Sequence, residues 1–213
     1  ALAGAALRIT VPSDGDEFEF PVGVSPEHER EAAQEAASAD DRFAILNPGG
    51  GWPTKLWGAE RFGALSDEIL ERHGLSSLVT YGPGERELAE RVVLASRTGA
   101  ARAVSLSLKG FYALARRASV YVGGDTGPTH LAVAAGTPVV GLFGPTEWWR
   151  NGSPRSGDVC VERTDIGCRT DCHRRACSQW ICMDIEVERV HGAVGERLRR
   201  AAETRRAEAE TFA

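Results

Sequence analysis

A glycine-rich turn at residues 123–130 contains side chains well suited to bind a phosphate group. Its sequence, GGDTGPTH, follows an apolar stretch and begins a short helical one. The free N–H groups and the macrodipole at a helix N-terminus favour an anion there. We therefore expect the amides of Thr126 and Gly127 to bind a diphosphate, with His130 near the phosphates. Alternatively, Asp125 is only an N-cap that satisfies free amides, and His130 is a half-buried helix residue.

A second glycine-rich loop, NPGGGWPTK at 47–55, ends in a lysine. Its glycines, Gly49, Gly50 and Gly51, allow positive φ and close approach of a ligand to the backbone. Lys55 would supply a full positive charge for a leaving diphosphate, which gains negative charge. The loop is not a Walker A motif, because the lysine does not follow a GxxxxG frame with Ser or Thr after it. The alternative is a solvated lysine, although the macrodipole disfavours a cation at a helix start.

Four cysteines follow one another closely near the end of the chain, in the pattern Cys168-x3-Cys172-x4-Cys177-x4-Cys182. Their thiolates could bind a structural metal, although zinc sites favour tighter CxxC spacings. Disulfides are rarely stable in a reducing cytosol, so the alternative is a set of reduced thiols. A metal at this position would hold the loop and would perform no chemistry.

Strands that alternate with helices position these loops. Apolar runs predict strands at 43–46, 78–81, 103–106, 120–122 and 138–143, and two further short strands at 7–11 and 18–22. Amphipathic patterns predict helices at 26–37, 59–73, 85–97 and 110–117, a short helix that ends at Gly136, and a terminal helix at 186–210. The alternation predicts an α/β fold with a doubly wound, parallel, Rossmann-like sheet of five strands. By analogy with other sheets of this kind, we expect the strand order 3-2-1-4-5. The loops after the strands would then meet at one edge, where such sheets bind ligands.

The composition is that of an ordinary globular protein. The chain has 213 residues, of which 42% are hydrophobic and 26% charged, and its formal net charge is −5. This charge argues against a nucleic-acid surface. We find no apolar run of membrane-spanning length and recognise no signal peptide, so the default expectation is the cytoplasm. Because the chain begins at Ala1 and its only methionine is Met183, we expect it to be a piece of a longer protein.

The chain resembles the bacterial heptosyltransferases, which add heptose from a sugar nucleotide to the lipopolysaccharide inner core. The resemblance is carried by NPGGGWPTKLW at 47–57, YGPGERELAE at 81–90, LSLKGFYALARRAS at 106–119 and GGDTGPTHLAVAAGTPVVGLFGPTE at 123–147. Members of that family have two Rossmann-like domains, in the arrangement called GT-B, with the active site between them. The resemblance implies that this chain is the carboxyl-terminal, donor-binding domain. The amino-terminal domain, which binds the acceptor and supplies the general base, would be missing.

This resemblance implies three parts and a set of site residues. Residues 1–41 would be a connector and the tail of the missing domain, 42–185 the nucleotide-sugar-binding domain with its cysteine-rich loop at 160–182, and 186–213 a terminal helix. Lys55 and Asp125 would be catalytic. The implied donor-binding residues are Gly49, Gly50, Gly51, Thr54, Glu85, Leu106, Ser107, Thr126, Gly127, Pro128 and His130.

Within this set, the resemblance assigns Asp125 to sugar hydroxyls, Glu85 to the ribose, and main-chain groups of Leu106 and Ser107 to the adenine. Without the resemblance, Glu85 is explained as well by the preference for glutamate in the first turn of a helix.

The predicted reaction is an inverting transfer of heptose from ADP-heptose to a lipopolysaccharide-core acceptor. It would need no cofactor for catalysis, with a structural metal at the cysteine loop as an option. The expected partners are the nucleotide sugar, a glycan acceptor and the missing domain, with at most peripheral membrane contact and no nucleic acid. Three alternatives stay open: transfer to a protein or another glycan, a non-catalytic nucleotide-sugar-binding module, and nucleotide-sugar epimerisation.

Overall fold

A parallel sheet of six strands, in the order β3-β2-β1-β4-β5-β6, forms the centre of the computed structural model, which describes residues 22–37, 39 and 42–211. The strands are β1 (Phe43–Asn47), β2 (Ser76–Thr80), β3 (Ala101–Val104), β4 (Val120–Gly124), β5 (Val139–Phe143) and β6 (Val159–Glu162). The helices are α1 (Pro26–Ala36), α2 (Ala59–His73), α3 (Arg86–Ala95), α4 (Leu108–Ala115), α5 (Gly127–Ala134), α6 (Trp148–Asn151) and α7 (Val187–Thr211). Short 3-10 turns lie at Pro53–Lys55, Gly167–Arg169 and Ile181–Met183. No helix in the described ranges is long and apolar enough to cross a bilayer.

Helices cover both faces of the sheet, as the continuous apolar strands predict. Side chains along β1 alternate between two cores. Ala44 and Leu46 pack with α2, α3 and α7, whereas Phe43 and Ile45 pack with α1, α4 and α5. Every residue of β1, β4 and β5 is buried. The structure therefore confirms the doubly wound, Rossmann-like α/β fold.

The predicted strand order 3-2-1-4-5 is confirmed, and the structure adds a sixth strand that the sequence pattern does not predict. β6 pairs with β5, with Val159 opposite Val140. It has only four residues and is partly exposed. An edge strand of this kind lacks the continuous apolar run that identifies the central strands. The strands predicted at 7–11 and 18–22 lie outside the described residues, apart from Val22.

Capping residues explain where the helices begin and end. α1 begins at Pro26 after the N-cap Ser25, as predicted. α2 ends at His73 because Gly74 adopts a left-handed φ of 63°. These ends agree with the sequence pattern because proline and glycine act locally.

Two other helices differ from their predicted bounds. α4 begins at Leu108, earlier than predicted, because the hydroxyl of Ser107 accepts a hydrogen bond from the amide of Gly110. α3 is shorter than predicted and ends at Ala95. The sequence pattern leaves Val93 and Leu94 as alternatives for the buried face of this helix. Val93 packs against the core, whereas Leu94 is 84% exposed.

Candidate functional site

Lys55 and Asp125 lie together at the carboxyl edge of the sheet, although they belong to separate loops. The Lys55 Nζ atom is 2.7 Å from Asp125 Oδ2 and 3.2 Å from the main-chain oxygen of Asp125. The two side chains are only 13% and 10% exposed. β1 and β4 are neighbours in the sheet, with Asn47 opposite Gly123. The loops that follow these strands therefore meet, as the sequence predicts.

Glycines allow the two loops to approach each other closely. A Cβ atom on Gly124 would be 3.3 Å from the main-chain oxygen of Lys55. A Cβ atom on Gly50 would be 3.3 Å from Leu56 and 3.5 Å from Thr126. A larger residue at either position would have to push the loops apart. Beside Gly51, by contrast, no atom would lie within 4 Å of an added Cβ.

The glycines at 49–51 do not use the positive φ that glycine allows. The described glycines with positive φ are Gly58, Gly74, Gly84, Gly99 and Gly136. At 49 and 50, glycine is explained by the small space that the neighbouring loops leave, and not by a left-handed backbone.

The carboxyl of Asp125 stays ionised at neutral pH. Burial by itself raises the pKa of Asp125, but interactions with His130 and Lys55 outweigh burial and lower it to about 2. The His130 Nε2 atom is 3.7 Å from Asp125 Oδ1, and the histidine side chain is 55% exposed. The Lys55 Nζ atom also lies 4.2 Å from the ring centroid of Trp52. A fixed negative charge and a lysine thus lie side by side in this site.

Buried hydroxyl groups hold the turn between β4 and α5. The Thr129 hydroxyl donates to the main-chain oxygen of Gly124 and is 3.0 Å from the hydroxyl of Tyr121.

The N-cap of α5 is Thr126, so the alternative role of Asp125 as an N-cap is wrong. Thr126 makes no side-chain capping hydrogen bond, and no atom lies within 4 Å of the position of a Cβ on Gly127. Pro128 has no N–H group, and the Thr129 amide donates to the main-chain oxygen of Thr126. The amide of Gly127 therefore starts α5 with no side-chain cap and with open space beside it, which suits an anion.

Two cavities open at this edge of the sheet. Asp125, in the turn before α5, lines one of them, and Pro128, in the first turn of α5, lines the other. The first, of about 500 Å³, is lined by Trp52, Lys55, Asp125, Thr146, Arg150, Asn151 and His173. The second, of about 460 Å³, is lined by Asn47, Thr80, Tyr81, Gly82, Pro83, Glu85, Leu106, Ser107, Leu108, Phe111 and Pro128. Both have the size of small-molecule sites. We call them the Asp125 cavity and the Glu85 cavity.

Glu85 forms one side of the Glu85 cavity. Its carboxylate accepts a 2.9 Å hydrogen bond from the amide of Gly82, and a Cβ on Gly49 would be 2.5 Å from its oxygens. Glu85 is also the N-cap residue of α3. Asn47, whose side chain the sequence does not single out, donates to the main-chain and hydroxyl oxygens of Thr80 at 3.2 and 3.1 Å. It ties the carboxyl ends of β1 and β2 together below the cavity.

Leu106 and Ser107, which the resemblance assigns to the adenine, line the same cavity. Ser107 is held by Glu31 of α1, a residue that sequence reasoning missed. The Glu31 carboxylate accepts hydrogen bonds from the amide of Ser107 at 2.7 Å and from its hydroxyl at 2.6 Å. No local pattern marks this contact, because 76 residues separate the two positions. The helix interpreted as a connector therefore helps to shape the site.

Thr54 does not line either cavity. It is buried, and its hydroxyl donates a 2.7 Å hydrogen bond to the main-chain oxygen of Arg174. Its own main-chain oxygen accepts a 2.9 Å hydrogen bond from the indole nitrogen of Trp180. Thr54 thus anchors the loop of Lys55 to the cysteine-rich segment, and its side chain does not face the donor cavities.

The four cysteines of the cysteine-rich segment line one small pocket beside Thr54. These residues, Cys168, Cys172, Cys177 and Cys182, are free thiols. The Cys177 sulfur accepts a 3.3 Å hydrogen bond from the amide of Trp180, and the amides of Trp180 and Gln179 lower the pKa of Cys177.

The four thiols are not gathered at coordination distance. In the described part of the chain, three or more possible ligand atoms lie within 4.8 Å of one another only at Glu68, Glu188 and His191. The donor types and the shared pocket fit a metal, whereas the sulfur positions would have to close around it.

A doubly wound parallel sheet with glycine-rich turns and two cavities at its carboxyl edge is a Rossmann-like domain, of the kind found in GT-B glycosyltransferases. The sequence model of glycosyltransferase family 9 (heptosyltransferase) matches residues 13–179, and the chain belongs to this family. The family resemblance noted from the sequence motifs is thereby confirmed.

The chain is similar to Lipopolysaccharide heptosyltransferase 3 of Escherichia coli, with 28% identity over 127 residues that cover 54% of this chain and 35% of that protein. Among solved structures, it is similar to a glycosyl transferase of family 9 from Veillonella parvula, with a TM-score of 0.71, 22% identity and coverage of 84% of this chain and 53% of that one. It is also similar to the E. coli heptosyltransferase WaaC with ADP, with a TM-score of 0.62, 19% identity and coverage of 94% and 54%. The chain therefore spans about a third to a half of the length of these relatives.

Proposed function

We propose that this chain is the donor-binding half of a heptosyltransferase that moves heptose from ADP-heptose to an acceptor sugar of the lipopolysaccharide inner core. The observation that carries the proposal is the pair of Lys55 and Asp125 beside the uncapped start of α5. Membership of family 9 supports heptose as the sugar. The similarity to WaaC, whose solved structure contains ADP, supports ADP as the nucleotide.

In this proposal the nucleoside occupies the Glu85 cavity. Main-chain groups of Leu106 and Ser107 contact the adenine, and the Glu85 carboxylate accepts a hydrogen bond from a ribose hydroxyl. This cavity is apolar along Leu106, Leu108 and Phe111, which suits the flat face of a base. The diphosphate lies at the amides of Thr126 and Gly127, between the two cavities, where the start of a helix favours an anion.

Lys55 stabilises the leaving group. The oxygen of an acceptor hydroxyl attacks the anomeric carbon on the face opposite the ADP, and the bond from that carbon to the diphosphate oxygen breaks. The electron pair of this bond stays on ADP, whose added negative charge is stabilised by the Lys55 ammonium and the start of α5. The acceptor proton passes to a general base, which we assign to the missing amino-terminal domain. The configuration at the anomeric carbon is inverted.

Asp125 binds the sugar in the Asp125 cavity. Its ionised carboxyl would repel the diphosphate, whereas it can accept hydrogen bonds from sugar hydroxyls. The hydroxyl of Thr146 is buried beside the same cavity and has no hydrogen-bond partner of normal geometry within the described residues. It lies near enough to Asp125 to help lower the pKa of that carboxyl, and we propose it as a further sugar contact. Because Lys55 pairs with Asp125, the lysine must share its charge with the diphosphate when the donor binds.

Calorimetric titration of the chain with ADP-heptose, ADP and a UDP-sugar tests the proposal. We expect ADP-heptose and ADP to bind and the UDP-sugar to bind much more weakly. Lys55→Ala should weaken ADP binding at least tenfold, since a charge-assisted contact is worth about 1.5–3 kcal/mol. Lys109→Ala is the matched control, because Lys109 is the chain's other lysine and is exposed on α4.

Equal affinities of wild type and the Lys55 variant for ADP would overturn the assignment of the site. Addition of the missing domain and an acceptor then tests the transfer itself. Binding of ADP-heptose without transfer would favour a non-catalytic module, and consumption of the donor without an acceptor would favour epimerisation.

We also propose that Cys168, Cys172, Cys177 and Cys182 hold a structural metal ion. Thiolates suit zinc or iron, and the amide hydrogen bond to the Cys177 sulfur favours the thiolate form. The same segment contains the described non-glycine residues with positive φ, Asp171, His173 and Trp180. Such backbone conformations are uncommon and persist where surrounding contacts impose them. The ion would hold the segment that contacts Thr54 and would take no part in transfer.

Cobalt titration of the reduced chain tests this metal. Cobalt bound by thiolates gives an intense near-ultraviolet charge-transfer band, which we expect for wild type and expect to be lost in Cys177→Ser. Cys160→Ser is the control, because Cys160 lies on β6 outside the pocket. Bands of equal intensity in the two variants, or no band in the wild type, would reject the proposed ligand set.

A further inference from the structure

A second group of possible metal ligands lies where the end of α2 packs against the start of α7. Glu68 belongs to α2, and Glu188 and His191 belong to α7. One ligand atom of each of these three residues lies within 4.8 Å of the others. α2 leads from the loop of Lys55 back to the start of β2, and Glu68 lies beyond its middle, so this group is displaced from the donor cavities toward the opposite edge of the sheet.

His191 is suited to be a fixed ligand. Its side chain is buried, with 7% of the residue exposed. Its Nε2 atom is 3.2 Å from Nε2 of His73, the last residue of α2, and the ring centroids are 5.1 Å apart. One of these two nitrogens carries a proton and donates a hydrogen bond, and the other accepts that hydrogen bond. The contact therefore fixes the orientation of the His191 ring. Metal-binding histidines commonly have a second hydrogen-bond partner that holds the ring in this way.

The two carboxylates lie closer to water. Glu68 is 30% exposed and pairs with Arg72 at 2.8 Å, one helical turn along α2. Glu188 is exposed in the first turn of α7. Arg72 contacts one carboxylate oxygen of Glu68, namely Oε2, and this leaves the other oxygen for an ion. None of these residues lines the Glu85 cavity or the Asp125 cavity.

We propose that Glu68, Glu188 and His191 bind a divalent transition-metal ion of the zinc type, with His73 as the residue that positions His191. The mixed nitrogen and oxygen donors suit zinc, whereas calcium and magnesium prefer oxygen alone. The ion would join α7 to α2 across more than a hundred residues of sequence. It would therefore act on stability, because an ion that binds only the folded state stabilises that state.

Thermal unfolding of the metal-free chain, measured with and without added zinc chloride, tests the proposal. With free zinc at about 100 times Kd, the wild-type Tm should rise by roughly 5–10 °C. Glu188→Gln should lose most of this rise while leaving the metal-free Tm almost unchanged, since the side chain is exposed. Glu68→Gln should also reduce the rise. Glu186→Gln is the matched control, because Glu186 is exposed just before α7 and lies outside the group.

The comparison between Glu188→Gln and Glu186→Gln separates this ion from one bound by the cysteines, because both variants keep all the thiols. The comparison also needs no nucleotide sugar, so its result does not depend on whether the chain binds ADP-heptose. If the two variants show the same zinc-induced rise, or if the wild type shows none, the group is only an ion-pair network around Arg72, and the proposal is rejected.

Discussion

The indole nitrogen of Trp180 donates a 2.9 Å hydrogen bond to the main-chain oxygen of Thr54, the residue before Lys55. The Thr54 hydroxyl donates in turn to the main-chain oxygen of Arg174, 120 residues later in the chain. These two contacts thus fix the loop of Lys55 from outside the donor cavities, whereas His173 of the same segment lines the Asp125 cavity. The position of the Lys55 ammonium depends on contacts that do not themselves touch the proposed ligand.

Substitution of Trp180 should therefore affect donor binding indirectly. Trp180→Phe keeps an aromatic ring but removes the indole donor, and we expect a loss of about 0.5–1.5 kcal/mol in stability. The affinity for ADP, measured by calorimetry, should fall a few-fold because the Lys55 loop is less firmly held. Trp149→Phe, on the 78% exposed Trp149 of α6, is the control. Equal affinities of the two variants would show that the Thr54 contact does not position Lys55.

Removal of Lys55 should also destabilise the chain. Lys55→Ala leaves the Asp125 carboxylate, which is only 10% exposed, without its cation. An unpaired buried charge of this kind costs about 2–4 kcal/mol of unfolding free energy. Asp125→Asn in the Lys55→Ala background should recover part of that loss, since no buried charge remains. Urea unfolding of the four proteins in this double-mutant cycle measures the coupling.

A coupling energy near zero in this cycle would contradict the view that the two side chains form one unit. The same pair also sets the expected effect of Asp125→Asn on ligand binding. Because Lys55 is paired with Asp125, we expect Asp125→Asn to free the lysine and to leave the affinity for ADP equal or higher, while it weakens the affinity for the heptose part of the donor.

The meeting of Lys55 and Asp125 could be predicted from sequence because it depends on strand order. Continuous apolar runs identified β1 and β4, and the loops after neighbouring parallel strands must share one edge. The contact between Glu31 and Ser107 could not be predicted, since no local pattern links residues 76 positions apart. The orientation of the Thr54 side chain likewise could not be predicted, because its hydrogen-bond partner, the main-chain oxygen of Arg174, lies in a distant loop. β6 was missed because a four-residue edge strand has too little apolar pattern.

Glu31 offers a test of whether α1 shapes the nucleoside cavity. Its carboxylate accepts two hydrogen bonds from Ser107, whereas glutamine offers one carbonyl oxygen and an amide that cannot accept. Glu31→Gln should cost about 1–2 kcal/mol of stability and weaken ADP binding a few-fold, because Ser107 is less fixed. Glu27→Gln on the exposed start of α1 is the control. An unchanged ADP affinity in Glu31→Gln would mean that α1 has no influence on the site.

The remaining prediction concerns Asp67, a buried carboxylate that holds the end of α3 against α2. Its side chain is 3% exposed. It accepts hydrogen bonds from the Ser96 hydroxyl at 2.7 Å, from the Arg97 amide at 2.9 Å, and from the amide and hydroxyl of Thr98 at 3.1 and 2.7 Å. Burial raises the pKa of Asp67, but these hydrogen bonds outweigh burial and lower the pKa from 3.8 to about 2.

The sign of the pH dependence follows from this shift. A carboxyl whose pKa is lower in the folded state contributes stability that is fully present above its unfolded pKa and is lost as the pH falls through its folded pKa. For Asp67 the window runs from about pH 4 down to pH 2, and the contribution is about 2 kcal/mol. Asp67→Asn should therefore destabilise the chain most at pH 7. About half of the contribution of ionised Asp67 to the free energy of unfolding is lost by pH 3. The difference in unfolding free energy between wild type and Asp67→Asn should therefore be smaller at pH 3 than at pH 7. Urea unfolding at pH 7, 5 and 3 measures this difference, and a difference that stays constant over the series would mean that the ionised carboxylate is not what holds residues 96–98.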